Sequence, residues 1–266
     1  NFVTDRQFDF ERLQGIVCLA TRFLDNVVEM NRYPTPAIET LCKANRKIGL
    51  GVMGFADALI KMGIDYDSEQ ALTVGSKIMR FVNEHAINES ERLADEKGVF
   101  PNYYGSLWHT TRARRVRNAT LTTVAPTGTL SLIANCSSGI EPRFGKEITK
   151  NILNRSITES IGPELDNEYF IDASRITPEC HVRIQAAFQA HVHAAISKTC
   201  NFPNSATKQD VKTAFIVAHN LKCKSITVYR DGSRQHQVLV RKDTEKAVTI
   251  EGNGQPVSAS CSRGNC

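Results

Sequence analysis

The chain has 266 residues, 41% hydrophobic and 23% charged, with a formal net charge of +5. That is ordinary globular composition, enough for one large domain or two small ones. No run approaches eighteen consecutive apolar residues, which excludes a helical membrane span.

Asn1 to Arg6 lack both an initiator Met and the apolar core of a signal peptide, so the chain is expected to be cut from something longer. Cys18, Cys42, Cys136, Cys180, Cys200 and Cys223 lie far apart, and only Cys261 and Cys266 are close. A secreted disulfide scaffold would be shorter and denser in Cys, so the cysteine usage points to a reducing cytoplasm. Arg112, Arg114, Arg115 and Arg117 concentrate positive charge. With no aromatic residues interleaved, this is expected to be a solvated face rather than a nucleic-acid or anion site.

In chain order, Phe8 to Asn31 predicts a helix. Leu13, Ile16, Val17, Ala20, Phe23, Leu24, Val27 and Val28 recur at the spacing of one buried face, and the prolines at 34 and 36 stop it. A second helix should open near Asp67-Ser68, with Gln70 closing a capping box, and end at Lys97-Gly98. Asn118 to Ala125, rich in β-branched residues, predicts a buried strand. Thr177-Pro178 should open a helix continuing through Phe188, Val192 and Ile196. Another spans Thr207 to Leu221, and Ser225 to Tyr229 is a short strand. Arg241 to Cys266 is polar, with little to bury, and is expected to be a mobile tail. Helices alternating with sparse strands predict an α/β body with parallel pairing.

Three stretches are candidate sites. Gly49-Leu50-Gly51-Val52-Met53-Gly54 fits G-x-G-x-x-G, yet polar, helix-prone residues precede it, and Asp65 and Asp67 lie in a loop opening a helix. The context fails for dinucleotide binding, and close packing of a helix against a neighbour is the expected role. In the second stretch, a strand runs into Pro126, Thr127, Gly128, Thr129, Leu130 and Ser131. Free amides at a helix start favour an anion, glycine permits close approach, and Thr127, Thr129 and Ser131 add hydroxyls. A plain strand-to-helix turn explains the same residues, and spacing leaves both open. The third is Cys261-Ser-Arg-Gly-Asn-Cys266, a thiol pair suited to disulfide exchange, since two ligands are too few for zinc. Among histidines, His191 and His193, two apart on a predicted helix, would face opposite sides. His85, His181 and His219 are expected to be satisfied surface or boundary residues.

Taken together, Arg46 to Asp57, Val124 to Ser131, Asn135 to Pro142, His181 to Gln185 with Thr199 to Asn204, and Lys224 to Arg234 resemble the catalytic chain of ribonucleotide reductases. The likeness is strongest to the adenosylcobalamin-dependent class, and it runs from the first helix to about residue 235 in the right order. It implies a fold, the second half of a ten-stranded α/β barrel over residues 1–235, followed by a flexible tail, 236–266. It implies conversion of ribonucleotides to 2′-deoxyribonucleotides by radical chemistry, with Pro126 to Ser131 holding the substrate's phosphates. Cys261 and Cys266 would re-reduce the active-site disulfide. The radical cysteine and catalytic glutamate of the family's Asn-Pro-Cys-Gly-Glu finger are expected upstream of Asn1, so no catalytic residue is expected in this chain.

Where radical-relay members carry an adjacent tyrosine pair, this chain has Thr227-Val228, with a single Tyr229 beyond. The departure implies a radical made locally from adenosylcobalamin. The partners implied are a reductase chain or half bearing the radical cysteine, a ribonucleotide, and a thioredoxin-like or glutaredoxin-like reductant. The alternative is a non-catalytic nucleotide-binding or regulatory module acting on a partner reductase chain.

Overall fold

The computed structural model describes residues 2–152, 155–233 and 239–241. Two short strands, β1 (Val3–Thr4) and β2 (Gln7–Phe8), pair antiparallel ahead of helix α1 (Phe10–Met30). Asp9 caps α1 by accepting from the Arg12 amide at 2.9 Å. The helix lies where its periodicity placed it, but its apolar face is split. Leu13 and Val17 are buried, with Thr21 and Asp25 continuing the inward stripe, while Ile16, Phe23 and Val27 are exposed. Among the described residues, α1 packs mainly against α4.

The prolines that stop α1 also start α2 (Pro36–Asn45). Thr35 caps it, Pro36 occupies its first turn, and Arg46 ends it in the left-handed region. A short helix, α3 (Phe55–Met62), precedes the long α4 (Glu69–Lys97). Ser68 is the cap of α4 and bonds the Ala71 amide, so Gln70 falls one position too early and the expected capping box does not form. Gly98, with φ of +84°, terminates α4 as expected. Then follow α5 (Leu107–Thr110), α6 (Gly128–Ile133), α7 (Pro178–Gln189) and α8 (Lys208–Asn220). Thr177 caps α7 as predicted, but α7 stops at Gln189, short of Val192 and Ile196.

Beyond α7 the chain turns at Val192 and enters a parallel array of extended segments that takes up Ile196. The amides of Ile48 and Leu50 donate to the carbonyls of Thr120 and Leu121, and Thr123 returns the bond to Leu50. On the other side of the same segment, the amides of Ala194 and Ser197 donate to the carbonyls of Thr122 and Val124. Bridges Leu50–Thr122 and Val124–Ile196 are both parallel. The chain continues into β5 (Thr199–Phe202), which pairs in parallel with β6 (Thr227–Arg230). The parallel pairing expected of an α/β body is therefore present. No closed sheet forms among the described residues. The antiparallel strands β3 (Glu147–Ile152) and β4 (Arg155–Ser160), joined by β7 (Leu239–Arg241), were not expected from sequence.

The Gly49–Gly54 stretch lies beside this array. A Cβ on Gly49 would stand 2.6 Å from Thr123 Cγ2, and one on Gly51 would stand 2.2 Å from the Thr123 carbonyl oxygen. Close packing is thus what the glycines allow, but of extended backbone against a strand rather than of a helix. Gly51→Ala is expected to cost about 1–3 kcal/mol of stability, because the obstructing atom is backbone and cannot swing aside. Urea denaturation measures this, and an unchanged midpoint would remove the packing explanation.

The core of Leu59, Met79, Val82, Phe100, Leu121, Ile184, Phe188 and Ile196 joins α3, α4 and α7 to the array. A buried polar knot fastens α1 to it. Arg46 donates to Asp25 at 2.9 Å, and Asn118 donates to both Asp25 Oδ1 and the Arg46 carbonyl.

Candidate functional site

The predicted loop sits at the carboxyl end of the Thr120–Val124 segment, the edge at which open α/β sheets bind ligands. Thr127 turns the chain with φ of +52°, and α6 begins at Gly128. The first helical hydrogen bond is from the Ser131 amide to the Thr127 carbonyl at 2.8 Å. The amides of Gly128, Thr129 and Leu130 precede it, and all three residues are exposed. A Cβ built on Gly128 meets nothing within 4 Å.

Two of the expected hydroxyls are engaged elsewhere. Thr127 Oγ1 accepts from the Gly139 amide at 2.8 Å. Ser131, fully buried, shares a 2.8 Å hydrogen bond with Ser138 and also donates to the Gly128 carbonyl. These side chains brace the loop from behind, while the amides of Gly128, Thr129 and Leu130 have no backbone acceptor among the described residues and belong, with Pro126 and the Thr129 side chain, to exposed residues.

The brace is the segment Cys136 to Arg143, held by buried charge at both ends and at Glu141. Asp57 on α3 accepts from Arg143 Nε at 2.8 Å and Nη2 at 2.7 Å, and also from the Ser137 amide. The Gly54 amide at the start of α3 donates to the Ser137 carbonyl. Between these two points, Lys198, 1% exposed, donates to Glu141 at 3.0 Å and to His181 Nδ1 at 2.8 Å. Glu141 also accepts from the Thr199 amide. Burial, then the Lys198 charge, push the His181 pKa down to about 2, so its imidazole is neutral. His181, expected to be a satisfied surface or boundary residue, is instead a core residue.

Neither Asp57–Arg143 nor Glu141–Lys198–His181 was singled out from the sequence. The available signal was a charged residue beside apolar strand residues, as Lys198 is beside Ile196 and Cys200. Such a residue must find a partner when buried. His191 and His193 lie beyond α7, not on it. His191 shares a hydrogen bond with Ser76, and His193 with Thr122.

Burial also pushes the thiols of Cys180 and Cys200 up to about 11, so both stay protonated at neutral pH. Cys18, Cys42, Cys180, Cys200 and Cys223 are free thiols. Cys261 and Cys266, and the tail from 242 onward, lie outside the described residues. Leu239–Arg241, just past the expected boundary at 235, pairs with β3. No helix among the described residues is long and apolar enough to cross a membrane.

A family model described as "Ribonucleotide reductase, barrel domain" matches residues 1–115, 108–166 and 158–229. The chain belongs to this family. It is 40% identical over 275 residues to the vitamin B12-dependent ribonucleoside-diphosphate reductase of Thermoplasma acidophilum, covering 91% of this chain and 36% of that protein. A protein of the same name from Mycobacterium tuberculosis (strain CDC 1551 / Oshkosh) is 40% identical over 89% of this chain and 39% of its own length. The ribonucleoside-diphosphate reductase subunit alpha of Treponema pallidum is 28% identical over 85% of this chain. The chain therefore spans less than two fifths of the length of the B12-dependent relatives it matches here. On β6 the Thr227-Val228 pair is exposed and Tyr229 half-buried.

Proposed function

We propose that this chain is the part of a vitamin B12-dependent ribonucleotide reductase that grips the substrate's phosphate groups, while the radical cysteine is supplied by a partner chain or half. The observation that carries this is the braced loop, three exposed first-turn amides held rigid from behind by Thr127 and Ser131. Amides aimed outward at a helix start attract an anion, and a fixed backbone holds it with little ordering cost on binding. The contact is then made by the amides of Gly128, Thr129 and Leu130 with the Thr129 hydroxyl, and Pro126 stiffens the entry. Thr127 and Ser131 act as positioning residues.

Adenosylcobalamin is the cofactor carried over from the named relatives, and when bound it supplies the initiating radical. The described residues fit it poorly. The apolar cleft between α1 and the Gly51–Phe55 segment, about 480 Å³, is the size of a small-ligand pocket and too small for a corrin with its nucleotide tail. No residue here is assigned to holding it. The Cys261–Cys266 pair would act as the tail dithiol that delivers electrons to the active site, in exchange with a thioredoxin-like or glutaredoxin-like protein.

Gly128→Leu tests the loop. Open space surrounds a Cβ at this position and its backbone is helical, so thermal stability should be unchanged. The added side chain should stand where the phosphates bind and weaken ribonucleotide binding, read by calorimetry, about tenfold or more. Equal affinity in the variant would discard the loop assignment. In the assembled enzyme, with a chain bearing the radical cysteine, adenosylcobalamin and a dithiol, the same change should raise KM; binding without any deoxynucleotide product would favour a regulatory module.

A further inference from the structure

The opposite end of the same parallel array carries a second cavity, of about 790 Å³. It spans the amino ends of the extended segments, where Asn45, Thr120, His193 and Lys224 line it. The Pro126–Ser131 loop leaves the carboxyl end of the same strand, roughly 20 Å away at about 3.3 Å per residue.

The lining contains no Asp or Glu among the described residues, yet it contains Arg112, Arg114 and Lys224. Arg114 is neutralised by Glu91 through Nε and Nη2. Arg112 and Lys224 instead meet neutral groups. Arg112 Nη1 donates to His193 Nε2 at 3.2 Å, its guanidinium lies 4.4 Å from the centre of the Trp108 ring, and Lys224 Nζ donates to the His193 carbonyl. His193 is itself fixed as an acceptor toward Arg112. Thr122 donates to Asn83, which leaves the Thr122 oxygen to receive His193 Nδ1–H. Burial and the charges of Arg112 and Lys224 hold that imidazole neutral, with a pKa pushed down to about 4. Two cations thus converge on a recess without a counter-charge. The Ser106 hydroxyl on its wall is buried with no hydrogen-bond partner.

We propose that this cavity binds a phosphate-bearing small molecule through Arg112 and Lys224. Guanidinium matches phosphate oxygens in a bidentate fork, with the ammonium as a second point charge. A recess of this volume lies within the range of small-molecule sites and exceeds what a bare phosphate fills, so the ligand is an organic phosphate. The arginine-rich stretch, expected from sequence to be a solvated face, is then divided: Arg114 and Arg117 are tied into ion pairs and backbone contacts, and Arg112 serves the cavity.

Trp108 is the only tryptophan of the chain, so its fluorescence reports this wall alone. Titration with ribose 5-phosphate should give a saturable change in emission, with inorganic pyrophosphate binding more weakly and sodium chloride giving no saturation. Arg112→Gln and Lys224→Gln should each weaken the apparent affinity at least tenfold, with far-UV circular dichroism and Tm unchanged, while Gly128→Leu should leave it intact. Calorimetry on wild type and the double variant checks the result independently of the indole. No heat and no emission change with either phosphate, or binding that survives the double variant, would overturn the proposal. Binding lost in Gly128→Leu but kept in Arg112→Gln would place the ligand at the loop instead.

Discussion

Replacing Asp57 with alanine is expected to remove about 3–5 kcal/mol of folding stability, the range measured when one partner of a buried ion pair is deleted. Asp57 and Arg143 are 7% and 6% exposed, and their two hydrogen bonds are short and parallel. Without the carboxylate, the buried Arg143 guanidinium loses its two hydrogen bonds to Asp57 and the Ser137 amide loses its acceptor. The loss should be concentrated where function is proposed, because Ser137 and Gly139 connect α3 to Thr127. Chemical denaturation gives the stability, and hydrogen exchange at 126–139 locates it. The double variant Asp57→Ala, Arg143→Met should recover part of the loss, since an apolar pair carries no stranded charge. A single-variant cost under about 1 kcal/mol would mean that the ion pair does not hold this segment.

Acidification from pH 7 to about 4.5 is expected to cost about 2–3 kcal/mol through His181 alone. Its folded pKa of about 2 lies below the ordinary value of 6.5. The unfolded chain therefore binds a proton as pH falls below 6.5, while the folded chain cannot until near 2. Stability from this group is complete above pH 6.5 and declines as pH falls toward the folded pKa, at about 1.4 kcal/mol per pH unit. His193, pushed down to about 4 by burial and by Arg112 and Lys224, acts in the same direction with a smaller range. His181→Gln, which cannot take up a proton, should flatten the profile between pH 6.5 and 4.5 whatever its stability at pH 7. A wild-type curve as flat as the variant's would show that His181 is not the source.

Much of the molecule was legible in one dimension. α1, the end of α4, the Thr177 cap, the helix from Thr207 to Leu221 and β6 were found because each depends on residues within a few positions of one another. Of the strand expected over Asn118 to Ala125, the structure forms an extended segment with isolated parallel bridges at Thr122 and Val124 rather than a full strand, while the helical turn after it was visible from the sequence that follows. The misreadings share a cause. Val192 and Ile196 fit the α7 period, but Val192 bonds back to Gln189, and the amides of Ala194 and Ser197 around Ile196 donate to the carbonyls of Thr122 and Val124. Ile16, Phe23 and Val27 fit a buried face of α1, but no described element covers them.

What the sequence determined by itself is therefore local: caps, periods, the glycine-bearing loop, and the motif order that places the chain in its family. The tertiary structure alone decided which hydroxyls of the loop face outward, because Gly139 and Ser138, brought back from later in the chain, occupy Thr127 and Ser131. It also decided that Lys198, His181 and Glu141 share one buried cluster, and that Arg112 and Lys224, more than a hundred residues apart, face one recess. Those are facts of charge and hydrogen bonding between distant segments, and no spacing along the chain encodes them.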